Sequence, residues 1–244
     1  MSANAYFDLA IDLIRHVQEE ETDNIIAAAK LIVESVRSGG VLHVFGAGHS
    51  HLLCEEMYFR AGGLVPLNPI LDLNFMMNVP ASKGSALERL PGYGRIIFNA
   101  FDTQPGEAII IASQSGKNAA PVDVALAAKE RGMNVVALTS MQHSGSVESG
   151  HESGKKVYEI ADVVLDNKVP VGDAGIVVSE EYPKVAPLST TVGAAILNAL
   201  VAEVARQLVD AGQKPPTWVS GNVPGNEDHN QKMAQEYDLR LKSI

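Results

Sequence analysis

The chain has 244 residues, a formal charge of −10, 46% hydrophobic and 20% charged residues, and one cysteine. This is the composition of a globular protein long enough to bury a full core. The acidity, without any clustered basic stripe, argues against a nucleic-acid or anionic-membrane surface, but not against a phosphorylated small molecule held by backbone dipoles.

The N-terminus, MSANAYFDLAIDLIRHVQEE, is acidic and lacks a basic-then-apolar export signal. No uninterrupted apolar run is long enough to span a bilayer. The lone Cys54 suits a reducing compartment, so the expected location is the cytoplasm. Between Tyr6 and Arg37, apolar residues at helical spacing predict two helices broken near Glu20 to Asp23, with Thr22 or Asp23 as the second cap. Gly39-Gly40 stops the second helix.

Val41 to Phe45 reads as a strand that runs into a glycine loop, then a helix from about Ser50 to Arg60. Leu64 to Pro69 reads as a further strand. Asp72 to Gly94, broken by Pro80, Gly84, Pro91 and Gly92, reads as a loop-rich excursion, a lid or a partner contact. Glu107 to Ala112 is the clearest strand, followed by a helix to about Arg131 and a strand at Asn134 to Leu138. Shorter apolar segments lie at Tyr158 to Leu165 and Ile176 to Val178. STTVGAAILNALVAEVARQLVDAG predicts a long apolar helix capped by Ser189 or Thr190, closed by Gly212 and by Pro215-Pro216. The tail from Ser220 to Asn230 is irregular and precedes a last polar helix. One α/β domain is expected, with helical N-terminal residues (about 5–37) and an irregular tail (about 213–244). Alternating strands and helices imply a doubly wound parallel sheet with both faces covered. Ligands bind beyond the carboxyl ends of such strands.

Two of those ends share a composition. VFGAGHS leaves the first strand and ASQSGKN leaves the strand at Glu107 to Ala112. Where a strand turns into a helix, the first helical amides lack internal partners and carry the positive end of the dipole. Glycine admits close approach, and serine hydroxyls add donors without a cationic side chain. Either loop alone reads first as plain helix capping. Two on one rim favour a phosphate. GAGHS lacks the dinucleotide-binding spacing and no Walker lysine is present, so no cofactor is expected.

These residues resemble the SIS (sugar isomerase) domain family, nearest its phosphoheptose isomerase-like branch. VFGAGHS is similar to that family's first Gly-x-Gly-x-Ser loop, and IIIASQSGKNAAPVDVALAAKERGMNVVALTS to its Ser-x-Ser-Gly-x-Thr/Ser signature. The resemblance spans about residues 5–212. It implies a flavodoxin-like three-layer sandwich and a small phosphorylated sugar as ligand. It also implies binding by Gly46, Gly48, His49 and Ser50 in the first loop and by Ser113, Gln114, Ser115 and Gly116 in the second. Ser140, at the end of the next strand, is a further expected contact. Asn118, likewise an expected contact, stands where the family usually has threonine or serine; its amide can still donate, but the departure leaves the identity of the sugar open.

Aldose–ketose isomerisation moves a proton between neighbouring carbons through an enediol and needs a base near neutrality. His51 and Glu55, four apart on the helix after the first loop, share a face and are the expected base and its helper. The competing reading is a surface ion pair. Glu56 points about 100° away. Phosphoheptose isomerases carry their helix glutamate further along, where this chain has Phe59 and Arg60. A metal site on His49, His51 and Glu55 is not expected, because alternate helix positions diverge. His143, His151 and His229 lie in loops or the tail, and Cys54 reads as packing. Two other readings stand beside the isomerase: a phospho-amino-sugar lyase or etherase, and a sensing module without catalysis. LNFMMNVP, with Leu73, Phe75, Met76 and Met77, is more apolar than a solvated loop. Together with the apolar N-terminal helices it predicts a homodimer or homotetramer; the alternative is that it folds back over its own sheet.

Overall fold

The computed structural model describes residues 2–237, 240 and 241. Two helices open the chain, α1 (Ser2–Glu20) and α2 (Thr22–Arg37). Glu21 takes the cap position between them, and Thr22 turns its hydroxyl back to the Gln18 carbonyl, so neither Thr22 nor Asp23 caps α2. Strand β1 (Leu42–Gly46) leads through one 3₁₀ turn into α3 (His51–Met57), then β2 (Leu67–Ile70). Helix α3 ends three residues before the expected Arg60, because the chain turns at Tyr58 and Phe59 takes the left-handed region at φ 45°. Helices α4 (Ala81–Glu88) and α5 (Tyr93–Asn99) follow, so the expected loop-rich excursion is partly helical.

The rest of the chain forms β3 (Ala108–Ala112), α6 (Ala119–Glu130), β4 (Asn134–Thr139), the short α7 (Met141–Gly145) and β5 (Val163–Asp166). A small antiparallel pair, β6 (Ala174–Ile176) and β7 (Val185–Pro187), precedes α8 (Ser189–Asp210) and α9 (Glu227–Tyr237). Strand β7 and the α9 start inside the expected irregular tail were not foreseen. The amides of Leu188, just before α8, and Ser189, its first residue, are received by Asp173, not by Ser189 or Thr190 as caps. Helix α8 is long and apolar enough by composition to cross a membrane, despite Glu203 and Arg206. Here its Val192, Ile196, Leu200 and Val204 are buried core residues.

Five parallel strands lie in the order β2-β1-β3-β4-β5. Side chains alternate between faces along each strand. Leu42, Val44, Ile110 and Leu138 join a core under α1, α2, α3 and α8. Phe45, Ile109, Ile111 and Ala137 join a second core under α5 and α6. With both faces covered, the strands read as continuous apolar runs, which is why β3 was the easiest to find.

The amino end of the sheet is closed by polar contacts. Glu107, just before β3, accepts hydrogen bonds from the Val41 and Gln104 amides, from Arg240 Nη2 (2.6 Å), and pairs with His43 Nε2 (2.8 Å). The other ring nitrogen of His43 meets the Asn68 amide at 3.2 Å. Burial pushes the Glu107 carboxyl up, but the His43 contact and the two amides outweigh it and hold the group below the ordinary carboxylate range.

Candidate active site at the carboxyl rim

Strands β1 and β3 are neighbours, with Gly46 opposite Ala112 at their carboxyl ends. The crossover from β1 goes to β2 on one side while β3 lies on the other, so the winding reverses here. A crevice opens at such a point, and both hydroxyl-glycine loops border it.

The first loop turns so tightly that a Cβ on Gly46 would stand 2.4 Å from the Ser50 carbonyl oxygen; only glycine fits. In the second, Gly116 has φ +61° and its amide donates to Ser113 Oγ at 3.2 Å. Between the loops lies a narrow polar pocket. His49, Ser50, Ser113 and Gln114 line it, with Asn167 after β5 and Ser189 and Thr190 at the start of α8. No lysine or arginine is among these lining residues. Gln114 Oε1 accepts from Asn167 Nδ2 at 2.8 Å, which fixes the amide. Its Nε2 is then buried without a partner, an arrangement that is costly unless something else fills it.

A second cavity of about 210 Å³ adjoins the first. Gly48 and His49 form one wall; Phe75, Met76, Val79, Ala81, Ser85 and Glu88 from the 72–94 excursion form the other. His49 belongs to both spaces. The excursion is also tied to the second loop, since Asn118 Nδ2 donates to Glu88 Oε1 at 2.9 Å. Phe75 is buried in the second core, so this segment folds back over its own rim, while Leu73 and Met77 stay exposed.

The remaining expected residues divide. His51 and Glu55 do pair, Nδ1 to Oε1 at 3.0 Å, with His51 buried, its Nε2 unpartnered, and Glu55 half-exposed. Neither lines either cavity. Ser140 is fully buried; its hydroxyl donates to the Val169 carbonyl (2.6 Å) and accepts the His143 amide (3.0 Å), so its bonding is already committed. Ser115 and Gly116 shape the second loop through their backbone, the Ser115 carbonyl accepting Ser144 Oγ and the Gly116 carbonyl the Val157 amide. His151 is buried against Asp123 at 3.2 Å, and His229 contacts the Thr217 carbonyl at 2.8 Å. Burial, reinforced by the Glu55 charge, pushes the Cys54 thiol far up, which removes it as a nucleophile. No group of three metal-ligating side chains occurs among the described residues.

Asn167, Ser189, Thr190 and Glu88 were missed as site residues. Asn167 follows a strand end, the same signal that marked the two loops. Ser189 and Thr190 form a hydroxyl pair that was read only as a cap. Glu88 carries no local signal, because it reaches the rim only through the fold of the excursion. A third cavity, of about 250 Å³, lies between α1, α2 and α8. Its aliphatic lining holds only Gln18 and Thr22 as polar side chains, too few convergent groups for a site of this chemistry.

Residues 5–140 match the family model of the SIS domain. A UPF0309 protein of Geobacillus kaustophilus is 40% identical over 238 residues, covering 98% of this chain and 95% of that protein. Another, from Caldanaerobacter subterraneus, is 41% identical over 242 residues and covers 98% of both. Among solved structures, phosphoheptose isomerase from Neisseria gonorrhoeae superposes with a TM-score of 0.56 at 18% identity, covering 83% of this chain and 96% of that one. The sugar isomerase domain of an RpiR transcription factor from Sphaerobacter thermophilus gives 0.51 at 17% identity, covering 97% and 98%. At these identities the likeness is one of fold.

Proposed function

The chain belongs to the SIS-domain family, among its UPF0309 proteins, and from that premise we propose that it binds a phosphorylated sugar at the carboxyl rim and isomerises it between aldose and ketose forms. The observation that carries the reading is the Gln114 amide. Asn167 fixes it with a buried donor facing no protein acceptor, in a pocket of serine hydroxyls at two strand-to-helix turns. The pocket is only about 10 Å³ as it stands, so a phosphate enters only as the two loops part; it then meets neutral donors and helix dipoles, which suits an acidic protein with no cation in the lining. The adjoining cavity then receives the sugar, with His49 between the two. The structural relatives named above carry sugar isomerase names, which agrees with this reading.

Thermal-shift screening of pentose, hexose, heptose and amino-sugar phosphates tests the binding half. A ligand at a hundred times its Kd adds about 2.7 kcal/mol of stability. Ser113→Ala combined with Ser115→Ala is expected to weaken any hit; undiminished affinity overturns the phosphate assignment. Incubation of a hit in deuterated water tests the chemistry, because an enediol route exchanges the hydrogen at carbon two. Binding without exchange leaves a sensing module. We also propose a homodimer or homotetramer, supported by the exposed Phe7 and Ile11 on α1 and Leu73 and Met77 on the excursion. Light scattering that finds a monomer at micromolar concentration removes this part.

A further inference from the structure

We propose that Glu88 is the carboxylate that moves the proton in this site, a role that rests on the isomerase reading above. Three observations lead to it. Glu88 is the one carboxylate among the residues lining the 210 Å³ cavity beside the phosphate pocket. Its Oε1 is held by Asn118, a residue of the second phosphate loop, at 2.9 Å. Its Oε2 has no hydrogen bond to any described residue, so one oxygen is fixed and the other is free. The wall around it is largely apolar, with Phe75, Met76 and Val79, and His49 stands in the facing wall.

By contrast Glu55, the carboxylate singled out by helix spacing, has one oxygen on His51 and lies outside the cavity lining. Asn118 is also the position where the chain departs from the serine or threonine of its family's signature, and its amide is engaged with Glu88. The departure thus ties the loop that holds the phosphate to the group that meets the sugar. Fixing a base relative to the anchored end of its substrate is the geometric condition for proton transfer.

The step balances without any outside reagent. In the open-chain aldose phosphate, Glu88 Oε2 takes the proton from carbon two, and the C–H electron pair becomes the C1–C2 double bond. The carbonyl oxygen on carbon one takes a proton from His49, giving the enediol. Glu88 then returns its proton to carbon one, the oxygen on carbon two gives its proton back to His49, and the ketose phosphate results.

Glu88→Gln keeps an oxygen for Asn118 to donate to and keeps the side chain's shape. The test uses the full chain with ribose 5-phosphate, arabinose 5-phosphate, glucose 6-phosphate and their 2-amino analogues where they exist, reading Kd by calorimetry and carbon-two deuterium exchange by NMR. The expected result is a loss of exchange by a factor of about a hundred to ten thousand, with Kd and melting temperature close to wild type. Full exchange in Glu88→Gln overturns the proposal. So does a joint loss of melting temperature, affinity and exchange that Asn118→Ala reproduces, since that marks the pair as structural. Loss in Glu55→Gln with exchange kept in Glu88→Gln assigns the base to Glu55 instead. Wild type that binds a sugar phosphate but never exchanges removes the base and leaves the binding site standing. Wild type that binds none of the panel removes the functional reading itself.

Discussion

The two ends of the parallel sheet bury polar groups in opposite ways. At the amino end, both oxygens of Glu107 and both nitrogens of His43 are engaged, and Arg240 adds charge to match, with only its Nε left without a hydrogen bond, 3.7 Å from Asp102 Oδ2. At the carboxyl end, Gln114 Nε2, His51 Nε2 and His143 Nδ1 are buried without partners. A network with all but one of its polar atoms paired rigidifies in a low-dielectric setting and holds little for a ligand. An unsaturated one is poorly stable alone and waits for something to complete it. The same sheet thus has a floor that holds it together and a rim with donors left open for the proposed ligand.

Substitutions that separate stability from binding sharpen this contrast. The largest effect is expected from Glu107→Ala. It strands His43 and Arg240, and removing one partner of a buried pair costs about 3–5 kcal/mol, read by urea denaturation. A loss under about 1 kcal/mol would mean that the floor is not the stabilising end. Next is Gln114→Glu, which replaces the free donor with an acidic oxygen facing the phosphate. Sugar-phosphate affinity should fall by about 1.5–3 kcal/mol, roughly ten- to a hundredfold in Kd. The free protein should lose far less stability than Glu107→Ala does. Unchanged affinity would break the comparison at the rim.

A third test uses pH. The Glu107 carboxyl titrates below its ordinary value of 4.5. The stability it contributes is therefore present above about pH 4.5 and is lost as pH falls through the lower folded-state value. Between pH 5 and 2, Glu107→Gln should flatten the fall in unfolding free energy by up to about 1.4 kcal/mol per pH unit; identical slopes would refute the assignment. The smallest effect belongs to an ion pair at neither end. Arg206, on the exposed side of α8, bonds Glu203 at 2.6 Å and also Asp210. Arg206→Ala should cost at most about 1 kcal/mol, and less in high salt.

The sheet and the phosphate loops were legible in the sequence because their signals are local. An apolar run such as Ala108 to Ala112, bounded by Gly106 and by Ser-Gln-Ser-Gly, reads as a buried strand, and it was the pairing of two hydroxyl-glycine loops at strand ends that pointed beyond helix capping. Helix caps were less legible. Asp173 serves α8 from 15 residues upstream, and Glu21 displaces the better capping residues beside it. The rim's other half was invisible for the same reason. Glu88 and Asn118 lie 30 positions apart and meet only after α4 folds over the first loop. The His51–Glu55 pair was foreseen correctly as a pair, but helix spacing says which side chains touch and not which way their common face looks.

Arg240 reaches back 133 positions to Glu107, and this has a consequence for the order of events. A chain made amino end first has every rim residue, from Gly46 to Thr190, in hand before Arg240 is added. Domains begin to fold as they emerge, so the ligand crevice can take shape over a floor that still lacks its closing cation. A copy ending before Arg240 would keep the whole crevice and lose that closure. Its defect would show in how long it survives in the cell, since small stability losses change abundance several-fold, and not in the crevice itself.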